Sequence, residues 1–253
     1  MELHSPTGPG LALLAFGAHP DDVELSAGGV LAKLASRGAA TGIVDLTRGE
    51  LGTRGTATTR AAEAAEASRI LGLSCREQLG LSDGFFETDE AALRQVIEVL
   101  RRLRPQVVLA NARSDRHPDH ARASELVTRA CFLSGLRRIE TSDRLTGQPQ
   151  LPWRPPQLYY YIQDRWRDPD FVVDVTGFAE TKMAAVLAYK TQFHRPDAGP
   201  DAADEPATPI STPDFLDQIR SRLSQMGRLI GCEAGEGFES ERPLGVVDFR
   251  DLK

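Results

Sequence analysis

Three of the five histidines in this 253-residue chain lie in two short acidic runs about a hundred residues apart. The first is Ala18-His19-Pro20-Asp21-Asp22-Val23-Glu24, the second His117-Pro118-Asp119-His120. Imidazole nitrogen with carboxylate oxygen is a borderline-soft donor set, suited to a catalytic zinc or a similar divalent ion that keeps one coordination position open for water. The chemistry to expect is metal-assisted hydrolysis. Taken singly, each run has an ordinary explanation. Pro-Asp is a turn signal, and an acidic residue in the first turn of a helix is favoured by the helix dipole. Two histidine-carboxylate runs, each directly after an apolar strand, make a shared site the stronger reading.

The elements that must bring these runs together are legible as alternating strand-length apolar runs and stretches of helical period, the pattern of βαβ units. Strands are expected at 11–18, 41–47, 77–81, 106–111, 157–162 and 171–175, and helices at 27–36, 57–71, 91–104, 118–134, 177–189 and 213–230. The expected fold is α/β, a Rossmann-like, mostly parallel sheet sandwiched by helices, as one domain over residues 1–253. In such a sheet ligands bind at the C-terminal strand ends, where the strand-to-helix loops converge. Residues 195–212, with four prolines and several aspartates, read as a loop and a candidate lid.

A strand running into a tight loop also begins a dinucleotide fold, but the loop here lacks the G-x-G-x-x-G spacing. Two carboxylates stand where a pyrophosphate would sit, which is electrostatically wrong without a cation. The formal charge of −6 gives no electrostatic footprint for nucleic acid or an anionic membrane. Cys75, Cys131 and Cys232 are scattered, with no C-x-x-C pair to suggest a thiolate site. The N-terminus has no basic region before its apolar stretch, and no run approaches the roughly 20 apolar residues that span a bilayer. A soluble, cytoplasmic protein is expected.

The A-H-P-D-D-x-E run, Thr47-Arg48-Gly49-Glu50 and the later H-P-D-H run, in this order, resemble the PIG-L/LmbE family of metal-dependent N-acetylglucosamine deacetylases. Further on, Leu158-Tyr159-Tyr160-Tyr161, the segment Phe171 to Thr176, Tyr189-Lys190-Thr191-Gln192-Phe193, and Gly237-Phe238 followed by Arg242-Pro243-Leu244 are similar to its bacillithiol-pathway branch. Members of that branch convert N-acetylglucosaminyl-malate to glucosaminyl-malate. The resemblance implies that His19, Asp22 and His120 hold one Zn2+ per chain, or Fe2+, Mn2+ or Co2+ in its place, with Asp21 kept off the metal as general base. It further implies a protonated His117 as oxyanion stabiliser, with Asp119 holding and charging that imidazole.

For the substrate carboxylates the resemblance points first to Arg60 and Arg116, with Arg54 a further candidate. Glu50 is a candidate for sugar hydroxyls, and Tyr189 for the pocket wall. The implied partner is a small aminosugar conjugate, with no nucleic acid and no membrane. A homo-oligomer is compatible with the chain, and exposed aromatics at Tyr159 to Tyr161 and Trp166 would suit its interface. The rival readings are a related deacetylase or amidase acting on another N-acetylglucosamine conjugate or a thiol S-conjugate, and a non-catalytic metal- or sugar-binding module. A binding module would have no need of Asp21 and His117 beside three ligands.

Overall fold

The computed structural model describes residues 10–194 and 206–251. β1 (Leu13–Gly17) is buried along its whole length, with Leu13 and Ala15 in the core on one face of the sheet and Leu14 and Phe16 in the core on the other. A strand covered on both faces needs no polar alternation, so it reads as a continuous apolar run. β2 (Thr41–Thr47), β3 (Cys75–Leu81), β4 (Val107–Ala110) and β5 (Gln157–Tyr161) complete a parallel block in the order β3-β2-β1-β4-β5. β6 (Phe171–Asp174) and β7 (Gly235–Ser240) extend the seven-stranded sheet as β5-β7-β6, with β7 antiparallel to both neighbours.

β7 was not among the expected strands. Its sequence Gly-Glu-Gly-Phe-Glu-Ser has one large apolar residue, and its buried Glu236 and Glu239 are neutralised by Lys182 and Arg167, which hydropathy does not register.

On one face lie α1 (Asp22–Ser36), α2 (Ala57–Leu71), α5 (Ala179–Leu187) and α6 (Pro213–Leu229). On the other lie α3 (Glu90–Leu103) and α4 (Pro118–Leu133). α3 buries Leu93, Val96, Ile97, Leu100 and Leu103, the stripe its helical period predicts. α1 begins five residues before the expected start, because Asp22 and Glu24 in its first turn hid it from an apolar count. Among the described residues no helix is long and apolar enough to cross a membrane. Of the expected lid, residues 195–205 lie outside the described residues.

Tyr160 and Tyr161 are both fully buried, and their hydroxyls donate to Glu241 and to the Phe16 carbonyl, respectively. They are core residues rather than the exposed aromatics of an interface. Consecutive rings can both be buried because the sheet is covered on both sides.

The decisive feature for function is the order at the centre of the sheet. β1 pairs with β2 on one side and β4 on the other, so the chain reverses its direction of travel across the sheet at the β1–β4 boundary. A crevice opens at the C-terminal ends of two such strands. The first histidine run follows β1 and the second follows β4. Topology, not sequence distance, joins them.

Candidate active site

The turn after β1 carries His19 inward and places Asp21 at the N-cap of α1 with φ of 116°. A non-glycine residue held at positive φ is strained, and Asp is among the types that tolerate it best. The side chain makes no capping bond and turns instead to the Arg60 guanidinium, 2.7 Å away. The turn after β4 makes His117 the N-cap of α4 and Pro118 its first residue, where a missing N–H costs nothing. The backbone amide of Asp119 donates to His117 Nδ1 at 3.2 Å. That bond leaves the ring's proton on Nε2.

Asp22 lies between the two outer histidines. Its carboxylate is 3.7 Å from His19 Nδ1 and 3.1 Å from His120 Nε2. The other nitrogen of each ring is held elsewhere: His19 Nε2 by Asp83 at 3.0 Å and Asp119 at 3.3 Å, His120 Nδ1 by Asp115 at 2.6 Å. A carboxylate behind each imidazole fixes its tautomer and aims the opposite nitrogen, the usual arrangement around a metal-binding histidine. Asn111 and Gln163 donate to the two oxygens of Asp22 at 3.0 and 3.1 Å and fix its plane.

Among the described residues, two groupings bring ligand atoms within 4.8 Å of one another: His19, His117 and His120, and His19, Asp83 and Asp119. In the second, both carboxylates crowd one nitrogen of His19 and are already engaged, Asp83 by the Leu51 amide and Asp119 by the Gly84 amide and Arg122.

The electrostatics follow from this crowding. Burial would lower the pKa of His19, but hydrogen bonds to Asp119 and Asp83 and the charge of Asp22 raise it to about 10. Burial also opposes the charge on His120, which Asp22 and Asp115 nevertheless raise to about 9. Asp22 is held well below the usual carboxylate range because the charges of His120 and His19 overcome its burial. These side chains compete for positive charge, the condition a bound divalent cation relieves. Burial raises Asp21 to about 7, with Arg60 holding it below what burial alone would give. His117 goes the other way, lowered by burial and by the neighbouring His19 and His120. With the Asp119 amide on Nδ1, Nε2 is the donor that the His117 ring offers on the cavity wall. The Asp119 carboxylate bonds to His19, and its charge offsets part of the lowering at His117 without a hydrogen bond to that ring.

The site opens into a cavity of about 590 Å³ lined by both histidine turns, the Leu51–Thr53 loop, α6 and β7.

This chain matches the family model described as PIG-L, GlcNAc-PI de-N-acetylase, over residues 14–131. The solved structure of the conserved protein TT1542 from Thermus thermophilus superposes with a TM-score of 0.80 at 37% identity, covering 94% of this chain and 98% of that one. The chain belongs to the PIG-L family. A 1D-myo-inositol 2-acetamido-2-deoxy-alpha-D-glucopyranoside deacetylase of Saccharomonospora viridis is 27% identical over 253 residues, covering 81% of this chain and 93% of the relative. A 4-oxalmesaconate hydratase of Pseudomonas putida is 29% identical over 203 residues, covering 74% and 76%.

The substrate residues expected from the PIG-L resemblance fare unevenly. Arg60 lines the cavity but is 5% exposed, and its amino groups donate to Asp21 and to the carbonyls of Pro20 and Gly49 while its Nε has no partner, so in this structure it positions the carboxylate. Arg116 does line the cavity, half-exposed and 3.1 Å from Asp164. Glu50 is outside the lining. It accepts the amides of Asp83 and Arg48 and so pins the glycine loop beside the site. Arg54 is also outside the lining, and its carbonyl accepts from Gln192. Tyr189 is fully buried behind the site, donating to Glu24 at 2.8 Å and accepting from Arg76 at 2.9 Å. A hydroxyl spent on two core charges cannot wall the pocket.

The reading from sequence passed over Asp83, Asn111 and Gln163. All three follow closely on the C-terminal ends of β3, β4 and β5, and that position was the available signal.

Proposed function

We propose that this PIG-L enzyme is a metal-dependent hydrolase that removes the acetyl group from N-acetylglucosaminyl-malate, the step of the bacillithiol-pathway branch. The observation that carries the deacetylase reading is the juxtaposition of a histidine–Asp22–histidine pocket with a separate buried carboxylate, Asp21, held by Arg60. His19, Asp22 and His120 fit a divalent ion, because the free nitrogen of each ring faces Asp22 while a second carboxylate supports the ring from behind. When bound, such an ion polarises the amide carbonyl and makes water a better nucleophile near neutral pH.

The remaining work falls to the chain. Asp21 accepts the proton of the attacking water and returns it to the leaving amine, a role that a carboxylate with raised pKa can perform in both directions. Arg60 keeps that carboxylate aimed into the cavity. His117 donates its Nε2 proton to the oxyanion of the tetrahedral intermediate, and its tautomer is set in advance by the Asp119 amide. The malate assignment is supported by the downstream segments similar to the bacillithiol branch and by arginine on the cavity wall.

The test is release of free amine by purified protein from N-acetylglucosaminyl-malate and from the inositol conjugate, as purified, after chelation, and with Zn2+ added back. Chelator-sensitive turnover restored by metal, faster on the malate conjugate, is expected. Faster turnover of the inositol conjugate would remove the malate assignment. Metal-loaded protein that releases amine from neither conjugate would overturn the deacetylase reading and make hydratase chemistry the next assay.

A further inference from the structure

Besides the histidines, four cationic side chains among the described residues stand on the cavity wall: Arg60, Arg116, Lys182 and Arg222. Three have acidic partners. Arg60 holds Asp21 at 2.7 Å, Lys182 holds Glu236 at 2.7 Å, and Arg116 holds Asp164 at 3.1 Å. Arg222, on α6, has no carboxylate within ion-pair distance among the described residues. One of its amino groups donates to the Asp164 backbone carbonyl at 2.6 Å. The acidic groups nearby are committed: the Asp164 carboxylate to Arg116, and that of Asp115 to His120 and the Arg165 amide. Burial accordingly lowers the pKa of Arg222, and the charges of Asp164 and Asp115 offset this only in part.

A guanidinium carries five donors in a rigid fork that matches a carboxylate. Here most of that fork is unspent, on a wall where Leu223 and Met226 of the same helix reduce the competition from water. Arg222 and Arg116 also meet at one residue, Asp164, the first at its carbonyl and the second at its carboxylate. Both cations therefore stand at one residue of the cavity wall.

We propose that Arg222 is a specificity-determining residue that binds a carboxylate of the group attached to the amino sugar, so that the enzyme selects acidic over neutral conjugates. This rests on the deacetylase reading above and identifies which cation performs the selection, a role the sequence had suggested for Arg60 and Arg116. No covalent step involves Arg222. It acts by charge-assisted hydrogen bonding in the bound complex.

The experiment compares metal-loaded wild type, Arg222→Gln and Arg222→Lys on N-acetylglucosaminyl-malate and on the neutral inositol conjugate, with metal content and melting temperature as controls on folding. In a parallel arm, free L-malate is titrated calorimetrically into wild type and Arg222→Gln. The expected result for Arg222→Gln is a KM for the malate conjugate raised about 10- to 100-fold, as for loss of a hydrogen bond to a charged group, with kcat within about 3-fold and the inositol conjugate unaffected. Arg222→Lys should recover part of the loss, and malate binding should weaken in step. Equal losses on both conjugates, or an unchanged KM for the malate conjugate, would overturn the assignment. If wild type turns over neither conjugate yet binds malate through Arg222, the anion site stands and the deacetylase reading falls. If turnover proceeds normally in Arg222→Gln, the reverse holds.

Discussion

The parallel half of the sheet and its antiparallel edge complete the site in different ways. At the ends of β1 and β4 the reacting side chains are fixed by one another, with Asp22, His19 and His120 in mutual contact and Asp83, Asp115 and Asp119 behind them. At the edge, α5, α6 and β7 build a wall whose internal charges cancel at Lys182–Glu236 but leave Arg222 facing the cavity with a carbonyl for a partner. The first region is organised before any substrate arrives. The second is completed by one. Reactivity here is therefore a property of two tight turns, whereas selectivity is a property of a helix far downstream of both.

The most severe challenge to that division is an attack on the first region. His120→Ala should abolish metal retention and turnover together, while Arg222→Gln leaves metal content intact. Elemental analysis of both variants checks this, and loss of metal on changing Arg222 would mean the two regions are not separate. Within the first region, Asp21→Asn should keep its metal and lose about 10²- to 10⁴-fold in kcat, the scale of general acid–base catalysis. If it loses metal as His120→Ala does, the division between base and ligand is wrong. A smaller effect is expected one layer back. Asp115→Asn should lower metal affinity about 10- to 100-fold by loosening His120, as read by competition with a chromophoric chelator. Activity should return at saturating metal, and a deficit that persists there would place Asp115 in the reaction itself.

The same division explains what could be read from sequence. The strand at 41–47 and the helix at 57–71 coincide with β2 and α2, because a fully buried strand and a helix bounded by Thr56 and Gly72 announce themselves locally. His19, Asp21, Asp22, His117 and His120 were legible as members of one candidate site because two histidine–carboxylate runs each follow a strand, and the structure brings those runs together; their separate roles came from the family resemblance. Arg60 was identified as a residue of the site, but its pairing with Asp21 was not legible. Its partner, Asp21, lies 39 residues away, and no local pattern shows that a basic side chain will be buried against an acid. The Asp119 carboxylate's bond to His19 was not legible for a related reason. Asp119 adjoins Pro118 and His117 in sequence, but the start of α4 points its carboxylate across the crevice to His19. β7 and Arg222 were missed altogether, since a strand of glycines and paired glutamates and a cation without an acidic partner are recognisable only after folding.

Tyr189 gives the smallest effect and the finest test of where the site ends. Its ring is buried, and its hydroxyl joins Glu24 at 2.8 Å to Arg76 at 2.9 Å, behind α1 and away from the cavity lining. Tyr189→Phe removes both bonds without opening a void, and Arg76 retains Asp45 at 2.7 Å and Glu24 at 2.5 Å. The cost should be the loss of hydrogen bonds to buried charges that keep other partners, about 1–2 kcal/mol. For a chain of this size that is a fall of roughly 2–8 °C in Tm. KM for the malate conjugate should stay within about 2-fold of wild type, because nothing the substrate touches has changed. A raised KM with unchanged Tm would return Tyr189 to the pocket wall and move the boundary between framework and recognition inward by one layer of side chains.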